Sequence, residues 1–254
     1  SCGLACAAAL EQMIQQHADE LAAVVIEPLV QGAGGIITAP PGYLRRAREA
    51  TRRCDVLLIL DEVATGFGRT GRMFACEHEG VSPDLMALAK GISGGYLPLA
   101  ATLATEEIYN AFLAEPHENR TFFHGHTYTG NPLACAAGLA SLRLFETDRT
   151  LEKLQPKIAL LRQRLARVAE LPHVGEVRQC GFIAGIELVE DTRTRRPFPP
   201  ARRVGAAVSM ACRPRGAIIR PLGDVLVIFP PLCITEDQLD RLMDAVETSI
   251  QEIA

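Results

Sequence analysis

A chain of 254 residues, 48% of them hydrophobic and 22% charged, is long enough to bury a substantial core. Its net charge of −4 and pI near 5.9 give no electrostatic reason to expect nucleic acid or a membrane as a partner. No apolar run reaches the length of a membrane span, and the apolar start SCGLACAAAL lacks the basic leader of a signal peptide. None of the eight cysteines forms a C-x-x-C pair, so we expect free thiols, a reducing cytoplasm and no metal site.

Hydrophobic periodicity predicts helices alternating with strands over the first two thirds of the chain. The predicted helices are Ala5–Glu20, Tyr43–Arg53, Asn131–Glu146 and Leu151–Leu171. The predicted strands are Ala22–Ile26, Val56–Leu60 and Leu85–Ala89. Continuous apolar runs of this kind are typical of parallel strands covered by helices on both faces.

The pattern changes near residue 173, where strands become more frequent. Strands are predicted at Val174–Gln179, Phe182–Val189, Ala217–Arg220 and Val225–Phe229, with a helix at Ala201–Cys212. A capping box formed by Thr235 and Gln238 begins a last helix that runs to about Ile253. We therefore expect an α/β domain over residues 1–147 and a smaller α+β domain over residues 148–254.

Three charged side chains follow the apolar strands: Glu27, Asp61 and Lys90. Ligands of open α/β sheets bind beyond the carboxyl ends of the strands. Taken singly, each of the three is better explained as a strand-end charge exposed to water.

Lys90 has the most informative surroundings, because LMALAKGISGG places apolar residues before it and glycines after it. An apolar cleft would remove solvation from the ammonium group and make a neutral, nucleophilic amine available. The alternative is a lysine that extends from a strand end into water.

Four segments together resemble the class III (ω-type) aminotransferases of pyridoxal-phosphate fold type I. They are IEPLVQGAGG, LILDEVATGFGRTG, ALAKGISGGYLPLAATL and FFHGHTYTGNPLACAAGLASL, and the similarity continues to GAIIRPLGDVLVIFPPLCIT. The resemblance implies a large cofactor domain with a mostly parallel sheet, followed by a small α+β domain. It also implies pyridoxal 5′-phosphate as cofactor.

Within this class the chain is most similar to the 7,8-diaminopelargonate synthases of biotin synthesis. Those enzymes share the segment after the lysine, and they carry alanine at the position of Ala64, where many relatives carry glutamine. Ala33 stands where many relatives have a glutamate that swings aside for an α-carboxylate donor. The implied substrate is 8-amino-7-oxononanoate, and the implied amino donor is S-adenosylmethionine or lysine.

The resemblance assigns roles to individual positions. Lys90 would hold the cofactor and move a proton, while Asp61 would pair with its ring nitrogen and keep that nitrogen protonated. Thr127 would contact the cofactor phosphate of a neighbouring subunit, which implies a homodimer. Arg220 would bind the substrate carboxylate through its planar guanidinium.

Three weaker assignments complete the predicted site. Gln31 would support the cofactor, Arg69 would shape the substrate site, and Gly125 would line it. The alternatives are an ordinary ion pair for Arg220 and a helix-start hydroxyl for Thr127.

One feature of the family is missing from this sequence. The phosphate-binding helix start and the aromatic residue that stacks on the cofactor lie upstream of the Glu27-Pro28 strand end in relatives. We therefore expect a chain that lacks an N-terminal portion and binds the cofactor weakly on its own. The alternatives to a biotin-pathway enzyme are another class III enzyme acting on a diamine or ω-amino acid, and an inactive fragment.

Overall fold

A computed structural model describes residues 2–254 of the chain. The strands, numbered in chain order, are β1 Ala23–Ile26, β2 Val30–Gln31, β3 Ile37–Thr38, β4 Leu57–Asp61, β5 Leu85–Leu88, β6 Ala101–Ala104, β7 Val174–Cys180, β8 Ile183–Leu188, β9 Arg220–Leu222 and β10 Val225–Ile228. The α-helices are α1 Ala5–Gln16, α2 Tyr43–Arg53, α3 Glu106–Ala111, α4 Pro132–Thr147, α5 Thr150–Val168, α6 Val204–Cys212 and α7 Glu236–Ile253. Among the described residues, no helix combines the length and apolar character that crossing a membrane requires.

Two units emerge from the contacts between residues. The first contains residues 2–29, Ala39–Phe67 and Arg72–Arg149. The second contains Val30–Thr38, Gly68–Gly71 and Thr150–Ala254. The predicted domain boundary at residue 148 stays a prediction.

A mostly parallel sheet organises the first unit, in the order β1-β4-β5-β6. β1 and β5 both run parallel to β4, and β6 closes the sheet antiparallel to β5. α1 and α2 pack against each other, and apolar residues of α2 and β4 form a common core. The α/β fold with a mostly parallel sheet confirms the prediction from the sequence.

The antiparallel sheet of the second unit has the order β7-β8-β10-β9. Nearly every residue of β8 is buried, because β8 lies between two neighbours and under helices. Side chains of α5, α6 and α7 share one hydrophobic core with this sheet. Thr235 caps α7 through its Oγ1, which accepts from the backbone N–H of Gln238 at 3.2 Å, as predicted.

Several elements differ from the predictions: α1 ends at Gln16 rather than Glu20, and β2, β3 and α3 were not predicted. α6 begins at Val204 rather than Ala201, because a 3₁₀ turn at Pro200–Arg202 precedes it and Arg203 has a φ of 48°. β9 is Arg220–Leu222, so the predicted strand Ala217–Arg220 is correct only at its last residue. β6 was not predicted, because ATLA is short and largely exposed.

Asp84 fixes the start of β5 against β4. Its Oδ2 accepts a hydrogen bond from the backbone N–H of Leu58 at 2.7 Å. Its two carboxylate oxygens also accept hydrogen bonds from Nη1 and Nη2 of Arg48. The Arg48 guanidinium, with help from the Leu58 N–H, lowers the pKa of the Asp84 carboxyl group. Because both side chains are largely buried, loss of one partner leaves the other charge uncompensated.

We expect Asp84→Asn to lower the free energy of unfolding of the whole protein by about 2–4 kcal/mol. Folding lowers the pKa of the Asp84 carboxyl group from its ordinary value of 3.8, so the group stabilises the fold at pH values above 3.8. This contribution is lost as the pH falls through the folded-state pKa. Urea unfolding at pH 7 should therefore separate wild type from variant, and the gap should shrink below pH 4. Asp19→Asn, at an exposed position, is the control. Equal stability of both variants would contradict the assigned role.

Candidate functional site

Three adjacent parallel strands of the first unit end at the same edge of the sheet. Glu27 follows β1, Asp61 is the last residue of β4, and Lys90 comes two residues after β5. The polar residues that the sequence places at strand ends are therefore neighbours in the sheet order. This edge is where ligands of open α/β sheets bind.

Asp61 is held in a defined orientation with part of its carboxylate available. Its Oδ1 accepts from the backbone N–H of Val63 at 3.0 Å. Within residues 2–254, its Oδ2 accepts no hydrogen bond. The residue is half-buried and pairs directly with Ala87 of β5. The free oxygen can therefore accept a hydrogen bond from a ligand.

Lys90 begins a 3₁₀ turn, Lys90–Ser93, with a φ of 46°. This left-handed conformation costs a non-glycine residue about 1 kcal/mol, so the surrounding structure must impose it. Lys90 is exposed, whereas the sequence predicts an apolar cleft. The difference arises because the described residues do not cover the Lys90 side chain.

The number of lysines makes this position distinctive. The chain has three, Lys90, Lys153 and Lys157. The other two lie on α5 in the second unit, where the Lys157 Nζ donates to the carbonyl of Leu232 at 2.8 Å. Lys90 is therefore the one amine side chain of the first unit available for chemistry at the sheet edge.

The turn after Lys90 is packed tightly against the turn after Asp61. A Cβ atom added at Gly91 would lie 2.7 Å from the Cβ of Phe67, so only glycine permits this approach. The Ser141 hydroxyl of α4 donates to the carbonyl of Gly91 at 3.2 Å. These contacts hold the backbone of Lys90 in place relative to the end of β4.

Glu62 supports the candidate site and was not predicted from the sequence. It is fully buried, its Oε2 accepts from the Thr65 hydroxyl at 2.7 Å and the Ala75 N–H at 3.0 Å, and its Oε1 accepts from the Cys76 N–H at 2.8 Å. Its own N–H donates to the carbonyl of Ala87 at 3.0 Å. Glu62 thus anchors the turn that follows Asp61, and the detectable signal is a second acidic residue directly after a buried strand.

Thr127 and Gly125 lie in an exposed loop that leads into α4. Asn131 caps this helix, since its Oδ1 accepts from the N–H groups of Leu133 and Ala134 at 3.0 and 3.1 Å. α4 also packs on the 3₁₀ turn that Lys90 begins. The loop and the lysine therefore belong to the same unit.

Arg69, in the second unit, binds the backbone. Its Nη1 donates to the carbonyls of Phe182 at 3.1 Å and Pro230 at 2.7 Å. Its guanidinium lies 3.8 Å from the centre of the Phe229 ring. Burial lowers the Arg69 pKa to about 10, which leaves the side chain charged at neutral pH. Arg69 therefore holds these two backbone segments, and its predicted role in shaping the substrate site stays a prediction.

Arg220 and Gln31, also in the second unit, are both exposed. Arg220 begins the edge strand β9 and lines a cavity of about 860 Å³ together with Phe229 and Arg241. Gln31 ends β2, which pairs with β3. A guanidinium beside an apolar wall can bind a carboxylate attached to an aliphatic chain.

We expect Glu62→Gln to destabilise the protein by about 2–4 kcal/mol, because the amide nitrogen cannot accept from the buried N–H groups. The reactivity of the Cys76 thiol gives a second measure of this loss of structure. Burial, with a contribution from the Glu62 charge, raises its pKa to about 12, so it should resist alkylation at pH 8 in wild type and react in the variant. Glu170→Gln, at an exposed position, is the control. An unchanged Cys76 labelling rate together with unchanged stability would show that Glu62 does not hold the turn.

Comparison with known proteins matches residues 2–250 to the family described as aminotransferase class-III. The adenosylmethionine-8-amino-7-oxononanoate aminotransferase of Geobacter sulfurreducens is 57% identical over 253 residues, which is 100% of this chain and 56% of that protein. The enzyme of that name from Nitratidesulfovibrio vulgaris is 56% identical over 98% of this chain and 46% of its own length. The chain thus spans about half the length of the curated relatives it matches.

A solved structure leads to the same family. The adenosylmethionine-8-amino-7-oxononanoate aminotransferase of Methanocaldococcus jannaschii superimposes with a TM-score of 0.96 at 46% identity, covering 98% of this chain and 58% of that one. A match of this extent includes the strand ends, the turns and the helices that position Asp61 and Lys90. The chain belongs to the class III aminotransferase family.

Proposed function

We propose that the protein containing this chain is an aminotransferase that converts 8-amino-7-oxononanoate to 7,8-diaminononanoate in biotin synthesis. The observation that carries the proposal is the placement of Lys90 and Asp61 at the ends of neighbouring parallel strands. The 57% identity to the Geobacter sulfurreducens enzyme supports this substrate over others used in the family. S-adenosylmethionine is the donor that the relatives' name indicates, and lysine is the second candidate.

Pyridoxal 5′-phosphate is the cofactor that the family implies, and the residues at the sheet edge fit it. Lys90 supplies an exposed amine, and Asp61 supplies a carboxylate oxygen that is free among residues 2–254. Asp61 pairs with Ala87, and Lys90 lies three residues further on, at most about 10 Å along the chain. The two side chains can therefore reach opposite ends of one small aromatic ring.

When bound, pyridoxal phosphate supplies a carbonyl carbon that links to amines and a ring that withdraws electrons. Lys90 would hold the cofactor through its Nζ and release it to the incoming amine. The freed Nζ would then move a proton between the donor carbon and the cofactor. Asp61 would hold the proton on the ring nitrogen throughout.

The second unit would contribute substrate recognition. Arg220 is exposed and lines a cavity with an apolar wall, which suits the carboxylate and methylene chain of the oxononanoate. Arg69 would shape this region through its backbone contacts, and Gln31 would support the cofactor. Ala33 stands where many relatives carry a glutamate that swings aside for an α-carboxylate donor, and this argues against glutamate as the amino donor.

We further propose that the active protein is a homodimer, with Thr127 contacting the partner's cofactor phosphate and Gly125 lining the partner's substrate site. The loop before α4 exposes Phe123 and Tyr128, which are 93% and 72% accessible, and α4 exposes Leu133. An apolar surface of this kind on one unit is typical of a protein interface. Free thiols throughout the chain favour a reducing, cytoplasmic setting.

A donor assay on the whole protein with pyridoxal phosphate tests the function. We expect 7,8-diaminononanoate from 8-amino-7-oxononanoate with S-adenosylmethionine or lysine, and little product with glutamate. Lys90→Ala should abolish turnover, whereas Lys153→Ala, at an exposed position of α5, should retain it. Rapid turnover of a diamine or ω-amino acid with glutamate, without activity on the oxononanoate, would overturn the proposal. Absence of any aminotransferase activity would favour an inactive relative.

Asp61→Asn should still bind the cofactor at Lys90 but lose at least about 100-fold in kcat, roughly 2.7 kcal/mol of transition-state stabilisation. An amide cannot keep the ring nitrogen protonated, so the ring withdraws electrons less strongly. Asp55→Asn is a matched control, since Asp55 is exposed and asparagine tolerates its φ of 55°. Near-normal turnover of Asp61→Asn would show that this carboxylate has another role.

A further inference from the structure

Two exposed cysteines, neither of which takes part in the proposed chemistry, meet at the start of α1. The Sγ atoms of Cys2 and Cys6 are 3.2 Å apart and share a hydrogen bond. Cys76 and Cys212, in contrast, are buried in the hydrophobic cores of their units. The exposed pair is accessible to small redox-active molecules.

A local turn brings the two thiols together. Gly3 and Leu4 both have left-handed backbones, with φ of 56° and 64°. The Ala5 N–H donates to the carbonyl of Cys2 at 3.0 Å, so the chain folds back just before the helix begins. Cys6 then lies in the first helical turn, facing Cys2. The two cysteines of the C-x-x-x-C segment are therefore adjacent because of this turn.

The two thiols are chemically different. The Cys6 backbone N–H, followed by its thiol, stabilises the Cys2 thiolate and lowers the Cys2 pKa to about 7. Donation to Cys2 raises the Cys6 pKa. Cys2 therefore ionises more readily than Cys6. A thiolate beside a protonated thiol matches the arrangement of attacking and resolving cysteines.

We propose that Cys2 and Cys6 form a reversible redox pair that small disulfides such as oxidised glutathione convert to an intramolecular disulfide. The Cys2 thiolate attacks one glutathione sulfur, forms a mixed disulfide and releases one glutathione thiolate. The Cys6 sulfur then attacks the Cys2 sulfur and releases the second. The protein loses two electrons and two protons, and one oxidised glutathione becomes two reduced molecules. This chemistry does not depend on the aminotransferase activity.

The test is peptide mapping of the whole reduced protein after exposure to oxidised glutathione at pH 7. Cleavage after Glu11 leaves both cysteines in one peptide, which should lose two hydrogens and carry no glutathione. The exposed Cys233 should carry an adduct and serves as an internal control. Cys6→Ser should instead trap one glutathione on Cys2. Glutathione adducts on Cys2 or Cys6 in wild type, or an unmodified peptide while Cys233 reacts, would overturn the proposal.

Gly3→Val tests whether the turn is responsible, since both cysteines are retained. An added Cβ meets no atom within 4 Å, and a β-branched side chain strains the positive φ of 56° at this position. We expect the equilibrium yield of the Cys2–Cys6 disulfide, relative to adducts, to fall about tenfold. An unchanged yield would show that the turn does not bring the pair together.

Discussion

The parallel pairing of β4 with β5 is the constraint on which the proposed chemistry depends. Its register places Asp61 opposite Ala87, and the ladder continues through the hydrogen bond from the Glu62 N–H to the Ala87 carbonyl. Asp84 secures the opposite end of the same pair of strands. A slip of one residue would send the Asp61 side chain to the other face of the sheet. Both reactive groups therefore owe their relative position to backbone hydrogen bonds.

The turns beyond the strands convert this register into a site. Lys90 adopts an unfavourable backbone conformation, and the close contact of Gly91 with Phe67 maintains it. Glu62 places a buried charge at the base of the neighbouring turn and satisfies it with three donors. The energetic cost of a strained lysine and a buried carboxylate is offset by local packing, a combination common at functional sites.

Much of this arrangement was predictable from the sequence. The apolar runs before Asp61 and Lys90 identified β4 and β5, and the continuity of these runs predicted parallel strands. The long-range contacts of these turns were not predictable. The backbone donors to Glu62 at Ala75 and Cys76 lie 13 and 14 residues away, the acceptors of Arg69 at Phe182 and Pro230 lie 113 and 161 residues away, and no local pattern encodes such contacts. The exposure of Lys90 was also missed, since hydrophobicity along the chain does not report which residues cover a turn.

Reduction of the holoprotein with borohydride, followed by peptide mapping, identifies the amine that holds the cofactor. Borohydride makes the link between an amine and pyridoxal phosphate permanent, so the labelled residue can be identified by mass spectrometry. The account predicts one cofactor per chain on Lys90, with Lys153 and Lys157 unlabelled. Cofactor attached to either lysine of α5, or a holoprotein in which Lys90 remains unmodified, would contradict it.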